Sequence, residues 1–183
     1  MESLTPEVHL ATTDSVDARE LAALAAQTFP LACPPTTDRE NIAAFVGANL
    51  SAARFAEYLN DPRRAVLTAR RDRRIIGYAM LIRGVADDSD VQRAVPLRPA
   101  AELSKMYVLP DYHGAGVAAA LMDLALAIAQ RWGAQCLWLG VNQHNQRAQR
   151  FYAKSGFTAG GTRTFQLGDH LESDYVMFRE LRR

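Results

Sequence analysis

Leu103 to Leu109 reads as a strand, Pro110 and Asp111 stop it, and after a loop of small residues, His113-Gly114-Ala115-Gly116-Val117-Ala118, a long helix begins near Ala115. This succession constrains the chain more than any other stretch. A glycine loop that runs straight into a helix leaves several backbone N–H groups without intrahelical acceptors, and the helix dipole adds partial positive charge at the same point. The product is a site for an anion, most often phosphate. Ala115, Ala118, Ala119 and Ala120 keep the first turn free of bulk, so a pyrophosphate can lie against the backbone from Gly114 to Ala118. The helix carries Val117, Leu121, Leu124, Ala125, Ile128 and Trp132 on one face, and Gly133 stands where a left-handed cap would end it.

The rest of the composition sets bounds. With 183 residues, 49% of them hydrophobic and 22% charged, the chain suits one soluble domain, 1–183, with a real core. A net charge of +1 supplies no sequence-independent attraction to nucleic acid or to a membrane surface, so neither is expected as a partner. The one dense basic run, Arg70-Arg71-Asp72-Arg73-Arg74, reads as a solvated hairpin turn. Cys33 and Cys136 lie far apart with no metal-ligand spacing, which supports neither a disulfide framework nor a metal site, and Cys136 is expected in the core. No leader-like apolar run follows Met1 to Pro6 and no window is long and apolar enough to span a bilayer, so the expected location is cytoplasmic. A homodimer is compatible with the sequence but not required by it.

Taken in order, Val8 to Thr12 alternates like a strand, and Thr13-Asp14-Ser15 precedes a helical pattern from Val16 to Phe29. Pro30, Pro34 and Pro35 break the chain, Thr37-Asp38-Arg39-Glu40 has the form of a capping box opening a helix to about Leu50, and Ser51 caps a third, ending near Asn60. Ala65 to Ala69 and Ile75 to Ile82 form a hairpin, whereas Gly84 to Pro99 shows no strong periodicity and reads as a mobile loop. Cys136 to Val141 has the continuous apolar character of a central strand, a short helix covers about Gln146 to Lys154, and Thr162 to Leu167 with Asp174 to Leu181 makes a final hairpin.

On the helix after that central strand stands Asn145-x-x-Ala148-x-x-Phe151-Tyr152-x-x-x-Gly156-Phe157. Glycine loop, helix, strand and this second motif together resemble the GNAT superfamily of N-acetyltransferases over about Glu102 to Phe157. A closer similarity, to the PaiA-type spermidine/spermine N-acetyltransferases, is carried by Trp138-Leu139-Gly140-Val141, Phe165-x-Leu167-Gly168-Asp169, Asp174-x-x-Met177, Gln27-Thr28-Phe29 and Ile76-Gly77-Tyr78. The resemblance implies an α/β (α+β) GNAT fold, with a mixed, mostly antiparallel sheet of about seven strands flanked by helices. It also implies acetyl-CoA as co-substrate and a small-molecule amine as acceptor, polyamine first.

It assigns residues as well. The backbone N–H groups of Gly114, Ala115, Gly116, Val117 and Ala118 would hold the pyrophosphate, and the strand edge at Met106, Tyr107 and Val108 would pair with the pantetheine arm. The N–H of Val108 would also meet charge developing on the acetyl oxygen. Arg147 joins the cofactor set, and Asn145 either bonds the pantetheine amides or caps its helix. Tyr152 occupies the position of the general acid for the departing thiolate and also belongs to the cofactor site. Two departures stand out: His113 replaces the usual arginine or glutamine of the loop, where hydrogen bonding by its imidazole would take over that residue's part in holding the cofactor, and Ser104 stands where many relatives carry glutamate. Glu102, placed by strand alternation on the face of Ser104, is then the candidate base through water, or a solvent-facing residue at a strand start, while the amine may also arrive already deprotonated. Lys105 and Tyr107 should point the other way. Carboxylates for a cationic acceptor would come from Asp38, Glu40, Glu57 and Asp87 to Asp90.

Other readings stay open at this level. An aminoglycoside, an amino-acid amine or a protein N-terminus could replace the polyamine. A sensor that binds acyl-CoA without turnover, or a purely structural use of the same sheet, would make the chain no enzyme at all.

Overall fold

A computed structural model of the chain describes residues 5–182. The elements run β1 Glu7–Leu10, α1 Ala18–Ala32, α2 Arg39–Asn49, α3 Ala52–Asn60, β2 Arg64–Arg71, β3 Arg74–Arg83, α4 Ser89–Ala94, β4 Ala100–Val108, a 3-10 turn Pro110–Tyr112, α5 Val117–Arg131, β5 Cys136–Asn142, α6 Gln146–Lys154, β6 Thr158–Leu167 and β7 His170–Glu180. The seven strands make one sheet in the order β1-β2-β3-β4-β5-β7-β6. Only β4 and β5 run parallel, because the long helix α5 between them carries the chain back to the same end of the sheet.

Adjacent residues of β3 show how the two faces are covered. Tyr78 packs edge-on against Phe55 of α3 at 5.5 Å, while a Cβ on Gly77 would meet Val117 of α5. The helices α1 and α3 therefore lie on one face and α5 on the other. Leu21, Phe55, Tyr78, Leu81, Leu121 and Leu137 are completely buried between these layers. The long helix ends as its sequence suggests: Gly133 has φ +76°, its N–H donates to Gln130 C=O, and Ala134 N–H reaches Ala129 C=O in a Schellman pattern. No helix among the described residues is long and apolar enough to cross a membrane.

Several expectations need correction. Asp17, not the Thr13–Ser15 segment, caps α1, and that helix runs two residues beyond Pro30. Asp38 rather than Thr37 caps α2, accepting the Glu40 N–H at 2.8 Å, and Thr37 Oγ1 is buried without a partner. The segment from Gly84 to Pro99 holds α4, whose cap Asp88 accepts from the N–H groups of Asp90 and Val91. Six residues are too few to show a helical period; Val91 and Ala94 instead gain their place by packing against Trp138 and Val176. Strand β6 begins four residues earlier than expected, at Thr158, and Gly160 within it stands unpaired in a bulge where a Cβ would run into the Ala94 carbonyl.

Candidate active site

The centre of the molecule is a parting of two strands. β4 and β5 pair only through Ala100–Cys136, Ala101–Leu137 and Glu102–Trp138, although β4 continues to Val108 and β5 to Asn142. Beyond Glu102 the strands diverge, and a cleft of about 600 Å³ opens between them. The Leu109 N–H reaches back to Ile76 C=O on β3, so by alternation the peptide groups of Val108 and Met106 face the opening. An extended amide-bearing chain can add to that edge as a strand would.

At the mouth of the cleft lies the glycine loop. Gly114 and Gly116 have φ of +82° and +81°, a left-handed backbone that side chains disfavour. Gly116 is the N-cap of α5 and no side chain caps it. Among the described residues the N–H groups of Gly114, Gly116, Val117 and Ala118 find no acceptor, whereas that of Ala115 is spent on Tyr112 C=O at 3.2 Å. Four of the five expected cradle amides are thus unspent, and the dipole of a 15-residue helix points at the same place. The His113 Nε2–H donates to Val108 C=O at 2.8 Å, which ties the loop to the end of β4, and the ring lines the cleft.

Tyr152 lines the cleft, edge-on to Phe151 and Phe157 at 5.5 and 6.0 Å. Burial pushes its phenol up to about 12, so the group is fully protonated at neutral pH. No partner for its hydroxyl occurs among the described residues, and the oxygen is not sealed from the cleft. Asn145 caps α6, its Oδ1 accepting from Ala148 N–H at 3.2 Å, and it also lines the cleft, as does the exposed Arg147.

A one-residue bulge in β4 rearranges the other wall. Leu103 pairs with Leu81 and Lys105 with Met80, leaving Ser104 unmatched. Leu81 and Met80 point to opposite faces, so the slip turns Lys105 and Tyr107 onto the face of Glu102, contrary to simple alternation. Ser104, Lys105, Met106, Tyr107 and Val108 line the cleft, and Glu102 does not. Burial raises the Glu102 carboxyl and lowers the Lys105 ammonium.

Residues from the end of the chain complete this wall. The Arg163 Nε–H donates to Asp174 Oδ2 at 3.2 Å, and its guanidinium lies over Gly140, where any Cβ would collide with it, and 5.8 Å from the Trp138 ring. Burial raises the Asp174 carboxyl against the pull of Arg163. Glu172 accepts from Asn142 Nδ2 at 3.0 Å and lies 3.1 Å from His170 Nε2. Phe29, Phe45 and Phe165 form an aromatic side, Phe29 and Phe45 stacking at 4.6 Å. None of Asp38, Glu40, Glu57 or Asp87 to Asp90 lines the cleft: Asp38 and Asp88 cap helices, Glu57 pairs with Arg54 and Asp90 with Arg93. The sequence reading missed Arg163 and Glu172. The one signal for Arg163 was the alternation Arg163, Phe165, Leu167 along a strand that reads as amphipathic.

Comparison with known proteins bears on the same segment. The acetyltransferase (GNAT) family matches residues 24–157. An uncharacterized N-acetyltransferase of Mycobacterium tuberculosis is 68% identical over 165 residues, covering 90% of this chain and 98% of that protein. Among solved structures, the PaiA N-acetyltransferase of Thermoplasma acidophilum, crystallised with coenzyme A, superposes with a TM-score of 0.75 at 19% identity, covering 96% of this chain and 99% of that one. The ribosomal-protein-S18-alanine N-acetyltransferase of Escherichia coli superposes at 0.66 and 18% identity, covering 98% and 96%. Those two structures share the fold; the family match and the mycobacterial relative, set beside the parted strands and the unspent loop amides, show that this chain belongs to the acetyltransferase (GNAT) family.

Proposed function

We propose that this protein transfers the acetyl group of acetyl-CoA to a primary amine of a small molecule by direct attack, with Tyr152 as general acid. The observation that carries the reading is the conjunction, among the described residues, of four acceptor-free amides at the start of α5, an unpaired strand edge at Met106 and the Val108 N–H, and an unpartnered phenol in the same cleft.

Gly114, Gly116, Val117 and Ala118 hold the diphosphate through their N–H groups, and Arg147 adds positive charge at the same end. Met106 and Val108 align the pantetheine arm, with Asn145 within the same cleft. Acetyl-CoA bound there supplies the activated acyl carbon. The Val108 N–H meets negative charge growing on the acyl oxygen; such a donor contributes about 3 kcal/mol to lowering a barrier. The new C–N bond forms as the C–S bond breaks and its electron pair passes to sulfur. Tyr152 donates its phenolic proton toward that sulfur, and because the phenol is a weaker acid than the thiol, its contribution is a hydrogen bond that strengthens with the charge. The proton released by the amine leaves through water in the cleft; Glu102, absent from the lining, makes no direct contact with the acceptor.

Spermidine and spermine, which the PaiA-like shape supports, are the first acceptors to try and the reference for the panel. The test is a thiol-release assay across polyamines, aminoglycosides, amino acids and peptide N-termini with wild type and Tyr152→Phe. Acetyl-CoA-dependent release with at least one amine, lowered by roughly 10² to 10⁴ in the variant, is expected. Tight acetyl-CoA binding with no thiol released for any amine would instead favour a sensor.

A further inference from the structure

The wall of the cleft formed by β4 and β6 contains two cations with donors to spare. Lys105 Nζ makes no ion pair or hydrogen bond with any described residue and lies 5.8 Å from the centre of the Phe45 ring. Glu102 lies on the same face of β4 but beyond ion-pair distance, and it does not line the cleft. Arg163 uses Nε on Asp174, and both of its Nη groups are without an acceptor among the described residues. Its pose is built rather than incidental: Gly140 leaves the space beneath it, Trp138 flanks it and Asp174 holds its near edge. The anionic groups of the same wall are already engaged, Asp174 by Arg163 and Glu172 by Asn142 and His170.

Lys105 and Arg163 are half-buried in this wall, and both have donors that no described residue accepts. They suit an anion, and a guanidinium fork is matched best by the two oxygens of a carboxylate. Asp174 keeps Oδ1 without a partner among the described residues, so an amine and an acid group of one small molecule can be met on one wall. Resting on the acetyltransferase reading of this cleft, we infer that the acceptor is an amine that also bears a carboxylate, an amino-acid-type molecule whose acid group is bound by Lys105 and Arg163 while its amine faces the thioester.

Acceptors that differ only by the carboxylate test this directly: ornithine against putrescine, lysine against cadaverine, and arginine against agmatine, each assayed for thiol release. In the wild type the amino acid of at least one pair should have the higher kcat/KM, by roughly tenfold to a hundredfold, the range of a charge-assisted contact. In Lys105→Met, chosen because an apolar side chain of similar length suits a half-buried site, that ratio should fall toward one, with the loss in the amino acid's KM; a thermal melt confirms the fold. Higher kcat/KM for the diamine in every pair, or a ratio that survives in Lys105→Met, overturns the inference. If no amine releases thiol, the transfer reading itself has failed, and calorimetric titration of the same pairs onto the coenzyme A complex still decides: tighter binding of the amino acid upholds the carboxylate site, and equal or tighter binding of the diamine removes it.

Discussion

Alanine at Gly116 and alanine at Gly133 impose the same backbone penalty at the two ends of one helix, and only one of those ends is assigned to the diphosphate. Gly116 has φ +81° and Gly133 φ +76°, and a Cβ built on either meets nothing within 4 Å. The cost of each substitution is therefore conformational, about 1–2 kcal/mol for a left-handed alanine. For a domain of this size that lowers Tm by roughly 2–8 °C in both ligand-free variants. Acetyl-CoA separates them. At a hundred times its Kd the ligand adds about 2.7 kcal/mol to the wild type. Relaxing φ at residue 116 re-aims the amides of Gly116 and Val117; a tenfold weaker Kd would remove about half of that stabilisation. Gly133→Ala, at the other end of a 15-residue helix, should keep all of it. Melting curves with and without acetyl-CoA give both quantities. Equal ligand-induced shifts in the two variants would refute the assignment of the diphosphate to the loop.

Other expectations follow from single residues. Because burial holds Tyr152 at about 12, kcat/KM should climb with pH as the amine deprotonates and show no descending limb below about pH 11; a descending limb near 10 would mean an ordinary phenol. Burial also pushes the Cys33 thiol up to about 11 from an ordinary 9.0, so alkylation by iodoacetamide at pH 8, followed by mass spectrometry, should run about a hundredfold slower than for a free thiol. Gly140→Ala should expel the guanidinium of Arg163 and leave Asp174 without its partner, a loss of at most about 3 kcal/mol by denaturant melt, with a raised acceptor KM; unchanged stability and KM would show that Arg163 is not held there.

How far the sequence could be read depended on whether the cause was local. The strand, glycine loop and helix from Leu103 to Gly133 are written in adjacent residues, and so are the Ser51 and Gly133 caps and the hairpin turn at Asp72 and Arg73. The facing of Lys105 was not legible, because a bulge at Ser104 is a matter of how β4 registers against β3 and leaves no mark in the alternation of either strand. Helix α4 escaped notice for a related reason: its six residues are held by Trp138 and Val176, which are distant in the chain. The pairing of Arg163 with Asp174 across the β6–β7 ladder, under the space left by Gly140, depends on strand order in the sheet. Carboxylates chosen for being acidic and nearby, such as Asp38 and Asp88, proved to be caps, which is the commonest use of aspartate before a helix.

A crystal structure with coenzyme A bound tests the account at its root. The diphosphate should lie within about 2.7–3.2 Å of the N–H groups of Gly114, Gly116, Val117 and Ala118, with the sulfur beside the Tyr152 hydroxyl between β4 and β5. Coenzyme A bound away from the start of α5, or a sulfur out of reach of Tyr152, would contradict it.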